Sequence, residues 1–126
     1  MKKLILLFSH NLTETQKNDA KKSFAIEEFV VLPKNLQSIW SAVPADLEEI
    51  ESYLKPVQDY LITVIQEDDV VLVQGDFGAT CVIASFVKSI GAIAIYATTK
   101  RNVEEKEIDS KIVKTSVFEH VRFRKY

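Results

Sequence analysis

The sequence predicts one α/β domain over residues 1–126, a mostly parallel sheet flanked by helices with an antiparallel β-hairpin at about 102–126. Three observations predict it. Short, nearly continuous apolar runs recur at 3–9, 29–32, 70–73 and 93–97, as in strands buried on both faces. Stretches with helical spacing lie between them, so strands and helices alternate, the pattern of a parallel sheet. Residues 112–124 differ in kind: Val113, Val117, His120 and Arg122 alternate in part with Ile112, Phe118, Val121 and Phe123, the mark of a hairpin strand.

The chain opens on a buried strand that ends at Ser9. Thr13 stands three residues before Gln16, a capping box in which each side chain satisfies the other's free backbone N–H. A polar helix from about 14 to 24 follows, with Lys17, Lys21 and Lys22 on its wet side. Phe29–Leu32 is the second strand, ended by Pro33, and a short helix over 35–42 carries Trp40 and stops at Pro44. Asp46 suits the cap of the next helix, over 47–66, in which Leu47, Ile50, Tyr53, Leu54, Val57, Tyr60, Leu61, Val64 and Ile65 form a core-facing stripe. Pro56 inside that stripe predicts a kink or two abutting helices. Val70–Val73 is a third strand, Gly75–Thr80 the turn into a helix ending near Gly91, and Ile93–Ala97 a fourth strand. The charged segment 102–109 and residues 112–124 are the arms of the hairpin, turning near Asp109, Ser110 and Lys111. The expected order is β-α-β-α-α-β-α-β-β-β.

Composition bounds the function. With 47% hydrophobic and 27% charged residues, 126 residues build one ordinary core. Cys81 has no second cysteine to pair with, which fits a reducing compartment. The apolar run after Lys3 stops at Ser9 with no cleavage site behind it, and no run approaches the roughly 20 apolar residues of a membrane span. A cytoplasmic protein without a membrane partner is expected. A net charge of −2 argues against binding long nucleic acid. The charge is uneven, however. Residues 111–126 carry Lys111, Lys114, Arg122, Arg124 and Lys125 against Glu119, a net of +4, which leaves −6 elsewhere. A local basic tail on an acidic chain points to a focused anionic ligand.

Three polar segments follow three of the strands and would meet at the carboxyl edge of a parallel sheet, where open α/β sheets bind their ligands. Ser9-His10-Asn11 brings a histidine able to exchange a proton near neutral pH or to hydrogen-bond a phosphate; alternatively it is a plain turn. Gly75-Asp76-Phe77-Gly78-Ala79-Thr80 brings glycines, a hydroxyl and the amides of a helix N-terminus, all suited to phosphate. Asp76 in that turn repels phosphate; it is either the cap of the helix or a group for ribose or a proton. The turn is neither a Walker A loop nor a GxGxxG fingerprint. Thr98-Thr99-Lys100-Arg101 brings hydroxyls and two cations, or is a solvated strand end. His120, Arg122 and Arg124 alternate and are expected on one strand face, either for a ligand or as charges guarding an edge strand. Two distant histidines and one cysteine give no metal-ligand spacing, and no cofactor is expected.

Together LFSHNLT at 7–13, QGDFGAT at 74–80, YATTKR at 96–101 and VFEHVRFRKY at 117–126 make the chain resemble the small stand-alone ring nucleases of type III CRISPR systems. The resemblance runs from the first strand to the last residue. It implies a Rossmann-like, CARF-like fold and a homodimer that holds a cyclic oligoadenylate across its two-fold axis. It further implies metal-independent cleavage by the ribose 2′-hydroxyl, leaving a 2′,3′-cyclic phosphate and ending type III CRISPR signalling. Cyclic tetra-adenylate is the expected ligand, and a sponge that binds without cutting is the alternative. On position and chemistry, His10 is the leading candidate for proton transfer, Asp76 the second, and Arg101 with Lys100 the stabiliser of the transition state. Ser9, Asn11, Gly75, Phe77, Gly78, Ala79, Thr80, Thr98 and Thr99 are the remaining ligand-binding candidates, with His120 and Arg122 closing over from the hairpin.

Overall fold

In the computed structural model, which describes residues 2–126, five strands form one sheet. The elements are β1 (Lys3–Leu7), α1 (Glu14–Phe24), β2 (Glu28–Val31), α2 (Lys34–Ser41), α3 (Glu51–Val64), β3 (Val70–Val73), α4 (Phe77–Ser89), β4 (Ile93–Ile108) and β5 (Lys111–Lys125). The strand order is β2-β1-β3-β4-β5; the first four are parallel and β5 runs antiparallel to β4. From β1 the chain steps outward to β2 and then returns past β1 to β3. The two crossovers therefore leave in opposite directions between β1 and β3.

Strand alternation divides the core into two layers. Leu4, Val70, Leu72, Ile95 and Phe123 face α1 and pack with Leu12, Ala20 and Ile26. Ile5, Leu7, Val71, Val73 and Ala94 face α2, α3 and α4, and pack with Leu36, Trp40, Leu54, Val57, Leu61, Ala79 and Ile83. Both faces of β1 and β3 are thus covered, which explains why those strands read as continuous apolar runs. α1 starts as expected: Thr13 Oγ1 accepts from Gln16 N (3.2 Å) and Gln16 Oε1 accepts from Thr13 N (3.0 Å), closing the capping box.

Three expectations fail for physical reasons. The third helix starts at Glu51, not 47; Asp46 does not cap it, Ile50 holds the N-cap position without a side-chain bond, and Leu47 is exposed. Starting late puts Pro56 in the second turn of one continuous helix, where its ring forfeits only the bond to the Ser52 carbonyl. The strand expected to stop at Ala97 runs on to Ile108, so 98–101 is no loop and the separate arm at 102–109 merges with it. The hairpin turns at Asp109-Ser110, both with positive φ, as a two-residue turn of this twist requires. Finally, the register skips one residue of β5, pairing Thr98 with Arg122 and Thr99 with His120. That bulge at Val121 flips the side-chain parity, so His120 does not share a face with Arg122 and Arg124. Among the described residues no helix is long and apolar enough to cross a membrane.

One buried carboxylate fixes the start of the sheet. Asp69 accepts from the backbone N–H groups of Lys3 (3.1 Å) and Gln66 (2.8 Å), and lies 2.8 Å from Lys3 Nζ. Burial pushes its pKa up, but the hydrogen bonds from Lys3 and Gln66 and the charge of Lys3 outweigh burial and hold it below the usual value of 3.8. A folded-state pKa below the unfolded one gives stability that is complete above about pH 5 and lost as pH falls through the folded value. Thermal melts from neutral pH down to acid are expected to fall steeply below about pH 4. Asp69→Asn is expected to lower the neutral melt and flatten that fall; an unchanged slope would assign the acid sensitivity to other carboxylates.

Candidate functional site

Gln74, the first residue beyond β3, ties the ends of β1 and β3 to the middle of β4. Its N–H donates to Leu7 O (3.0 Å), its side-chain Oε1 accepts from Ala97 N (2.8 Å), and its carbonyl accepts from Trp40 Nε1 (2.9 Å). The carboxyl ends of β1 and β3 are thereby held in one row with Ala97 of β4 at the point where the crossovers diverge, the usual ligand position in open α/β sheets. Gly75 follows because a Cβ there would stand 2.9 Å from Trp40 Nε1. Its lack of a side chain is required by packing.

α4 begins at Phe77 with Asp76 as its cap: Asp76 Oδ2 accepts from Ala79 N (3.0 Å). Of the two roles open for Asp76, the structure shows the capping one. The amides of Phe77 and Gly78 have no acceptor among the described residues, as expected for the first turn of a helix. Two clefts flank the turn. One, of about 250 Å³, is lined by Phe8, Ser9, His10, Gln74 and Gly75. The His10 ring stands edge-on to Phe8 at 5.4 Å, and Ser9 Oγ lies 3.4 Å from Ser41 Oγ. The other, of about 210 Å³, is lined by Gln74, Gly75, Phe77, Thr80, Tyr96 and Tyr126. Phe77 is 96% exposed there, and Thr80 Oγ1 is buried with no hydrogen-bond partner among the described residues.

The structure therefore brings Ser9, His10, Gly75, Phe77 and Thr80 together. Ala79 is buried behind them, and its N–H is taken by the Asp76 cap. Asn11 lines a neighbouring cleft with Leu12 and Lys17. On its Gly78 side the turn faces a different cleft that holds Glu48, Glu49 and Glu51, an acidic wall unsuited to phosphate.

The other candidates stand elsewhere in the chain. Thr98, Thr99, Lys100 and Arg101 lie on the continuing β4. Thr98 Oγ1 donates to Arg122 O (2.9 Å), and Arg101 donates to Ser116 Oγ through Nε (3.1 Å) and Nη2 (2.9 Å). Arg101 is five residues beyond Tyr96, roughly 16 Å along an extended strand. His120 packs against α1: Nε2 is 2.7 Å from Asp19 Oδ2, and the ring lies 4.7 Å from that of Phe123. Burial pushes the Asp19 carboxyl up, yet hydrogen bonds from Ser23 and His120 and the charges of His120 and Arg122 bring it below its ordinary value. His120 thus anchors the hairpin. Arg122 lines a separate cleft of about 800 Å³ with Lys2, Lys22 and Lys125.

Two residues beside the turn, Tyr96 and Tyr126, were missed by the sequence reading, and Arg124, expected on one face with His120 and Arg122, joins them. Tyr126 OH donates to Val73 O and its ring lies 4.8 Å from that of Tyr96; Arg124 stacks over Tyr96 at 5.5 Å and donates to its hydroxyl (2.9 Å). Arg124, not Arg101, is the cation at this edge. Pairing β5 back along β4 predicts this place for the last residues, provided β5 reaches the chain end.

Compared with known proteins, the chain matches the Uncharacterized protein MJ1673 family over residues 2–124. It belongs to that family. It is similar to the Uncharacterized protein MJ1673 of Methanocaldococcus jannaschii, 47% identical over 126 residues that cover all of this chain and 98% of that one. No solved structure matches it.

Proposed function

We propose that this chain is a Rossmann-like, CARF-like domain that binds a cyclic oligoadenylate, cyclic tetra-adenylate foremost, and cleaves it by attack of the ribose 2′-hydroxyl. The observation that carries the proposal is the meeting of the Ser9–His10 loop with the Gly75–Thr80 turn where the crossovers diverge. Free helix amides and the Thr80 hydroxyl suit a phosphate, and Phe77 with the two tyrosines suits an adenine face. The 2′-hydroxyl attacks phosphorus, the 5′-oxygen leaves, and a 2′,3′-cyclic phosphate remains. The protein aligns the hydroxyl and supplies donors to the charged phosphorane. Two such edges facing each other in a homodimer would match the rotational symmetry of the ring. By this proposal the chain would end type III CRISPR signalling, in the cytoplasm.

A non-catalytic sponge is the second possibility. It is favoured by the position of Lys100, Arg101 and His120 away from the cleft, which leaves His10 as the one free histidine there. Incubation with radiolabelled cyclic tetra-adenylate in EDTA separates the two. Linear products ending in a 2′,3′-cyclic phosphate are expected, whereas a retained but intact ring would mean a sponge. Neither retention nor cleavage, with rings of other sizes also inert, would overturn both.

A further inference from the structure

Beyond Thr98 the hairpin leaves the body of the protein. β3 ends at Val73 and pairs with β4 only up to Ile95, and Gln74 takes Ala97 N. Residues 98–108 of β4 therefore have β5 on one side and no partner on the other among the described residues. Eleven residues of open strand edge span roughly 35 Å. Val103 is 55% exposed, Phe118 67% and Ile112 70%. A two-stranded ribbon with unpaired edges and bare apolar side chains is marginal alone and invites another strand.

We propose that the free edge of β4 pairs antiparallel with the same edge of a second copy of this chain, about a two-fold axis at Val103, forming a four-stranded sheet β5-β4-β4-β5. Charge decides the occupant. The free part of β4 is cationic at its start (Lys100, Arg101) and acidic farther on (Glu104, Glu105, Glu107). An antiparallel copy lays one half on the other. With Val103 facing its own copy, Arg101 faces the partner's Glu105 and Thr99 the partner's Glu107, on one sheet face, and each contact occurs twice. One mismatch arises on the opposite face, where Lys100 faces the partner's Lys106; the partner's Glu104 lies diagonally beside Lys100. Glu105 is held in its own chain only by Lys114 at 3.7 Å, both exposed, so its carboxylate is available.

The other edge is unsuited to self-pairing. β5 carries Lys111, Lys114, Arg122, Arg124 and Lys125 against a single Glu119, so an antiparallel copy sets cations on cations, and the bulge at Val121 breaks its ladder. Joining β4 to the β5 of another copy would not close and would grow fibres. Self-pairing of β4 closes at two.

The interface involves no nucleotide and sets the two Tyr96 edges roughly 46 Å apart, seven residues on each side of the axis at Val103, so it is separate from a dimer closed around a ring; its test is run without nucleotide, and its failure would leave the cleft chemistry standing. Sedimentation of the full chain is expected to give twice the mass of one chain. Arg101→Glu and Glu105→Arg are each expected to weaken the dimer about tenfold or more, because two like-charged contacts replace two opposite ones. The double variant R101E/E105R is expected to restore it, which damage to the fold would not allow. In a Cys81→Ser background, Val103→Cys is expected to form a disulfide-linked dimer, since facing residues of an antiparallel pair lie about 4.5–5.5 Å apart at Cα and a disulfide spans about 4.4–6.8 Å. A monomer at the highest soluble concentration, a dimer indifferent to the charge swap, or growth beyond a dimer would overturn the proposal.

Discussion

Trp40→Ala is expected to cost about 3–5 kcal/mol, the range for emptying a fully buried aromatic site. Trp40 is 1% exposed and lies in the core between α2 and the sheet. Its loss removes more than volume. The indole N–H is the donor to Gln74 O, and Gln74 holds the end of β1 and Ala97 of β4. An alanine therefore leaves a cavity and a part-buried carbonyl without its donor at the one residue that aligns the strand ends. Against a total stability of about 5–15 kcal/mol, that loss is a large share. Trp40→Phe keeps much of the volume and is expected to lose less. The converse change, Gly75→Ala, pushes a methyl into the rigid indole face at 2.9 Å and is expected to cost about 1–3 kcal/mol by overpacking. Urea unfolding at constant slope checks all three. A loss below about 1 kcal/mol for Trp40→Ala would mean that the strand ends are held without the indole. Reduced ligand binding by a Gly75 variant is not in itself a sign of ligand contact, because Gly75 answers to Trp40 first.

The parallel core was legible because its signals are local. Apolar runs, the Thr13–Gln16 box and the two flanking prolines of α2 each act within a few residues, and β1, α1, β2, α2 and β3 stand within a residue or two of their expected bounds, while α4 begins at Phe77, inside the stretch read as its turn. The ribbon was only half legible. Residues 98–101 are polar after an apolar run, which reads as a strand end when the strand is thought to stop where burial stops. β4 continues because β5 supplies a full hydrogen-bond ladder to exposed residues, a long-range effect with no local mark. The same missing information misassigned His120: one bulged residue reversed the parity and turned a presumed ligand contact into a clamp on Asp19. The candidate site divides along that line. Ser9, His10 and the Gly75 turn were found because they follow buried strands, while Arg124 and Tyr126 reach the same edge, beside Tyr96 of β4, only through the pairing of β5.

His10→Ala is expected to slow cleavage of bound cyclic tetra-adenylate by about 10²–10⁴-fold, the usual contribution of a positioned proton-transfer group, while changing ring affinity far less. The expectation rests on elimination within the site. Asp76 has one oxygen committed to the α4 cap, so Asp76→Ala is expected to show up mainly as about 1 kcal/mol of lost stability. Arg101 and Lys100 lie out along the ribbon, so Arg101→Ala, at the residue the sequence marks as stabiliser of the transition state, is expected instead to act on assembly. His10 remains beside Gly75 with its ring orientation set by Phe8. Single-turnover rates measured with saturating enzyme separate chemistry from binding. Equal losses in rate and affinity would make His10 a ligand contact with no part in proton transfer. An unchanged rate would remove the proton acceptor from this cleft altogether. The 2′-hydroxyl would then have to lose its proton to water or to a group from a second protomer, and the Thr80 hydroxyl and helix amides would carry catalysis by orientation and charge stabilisation alone.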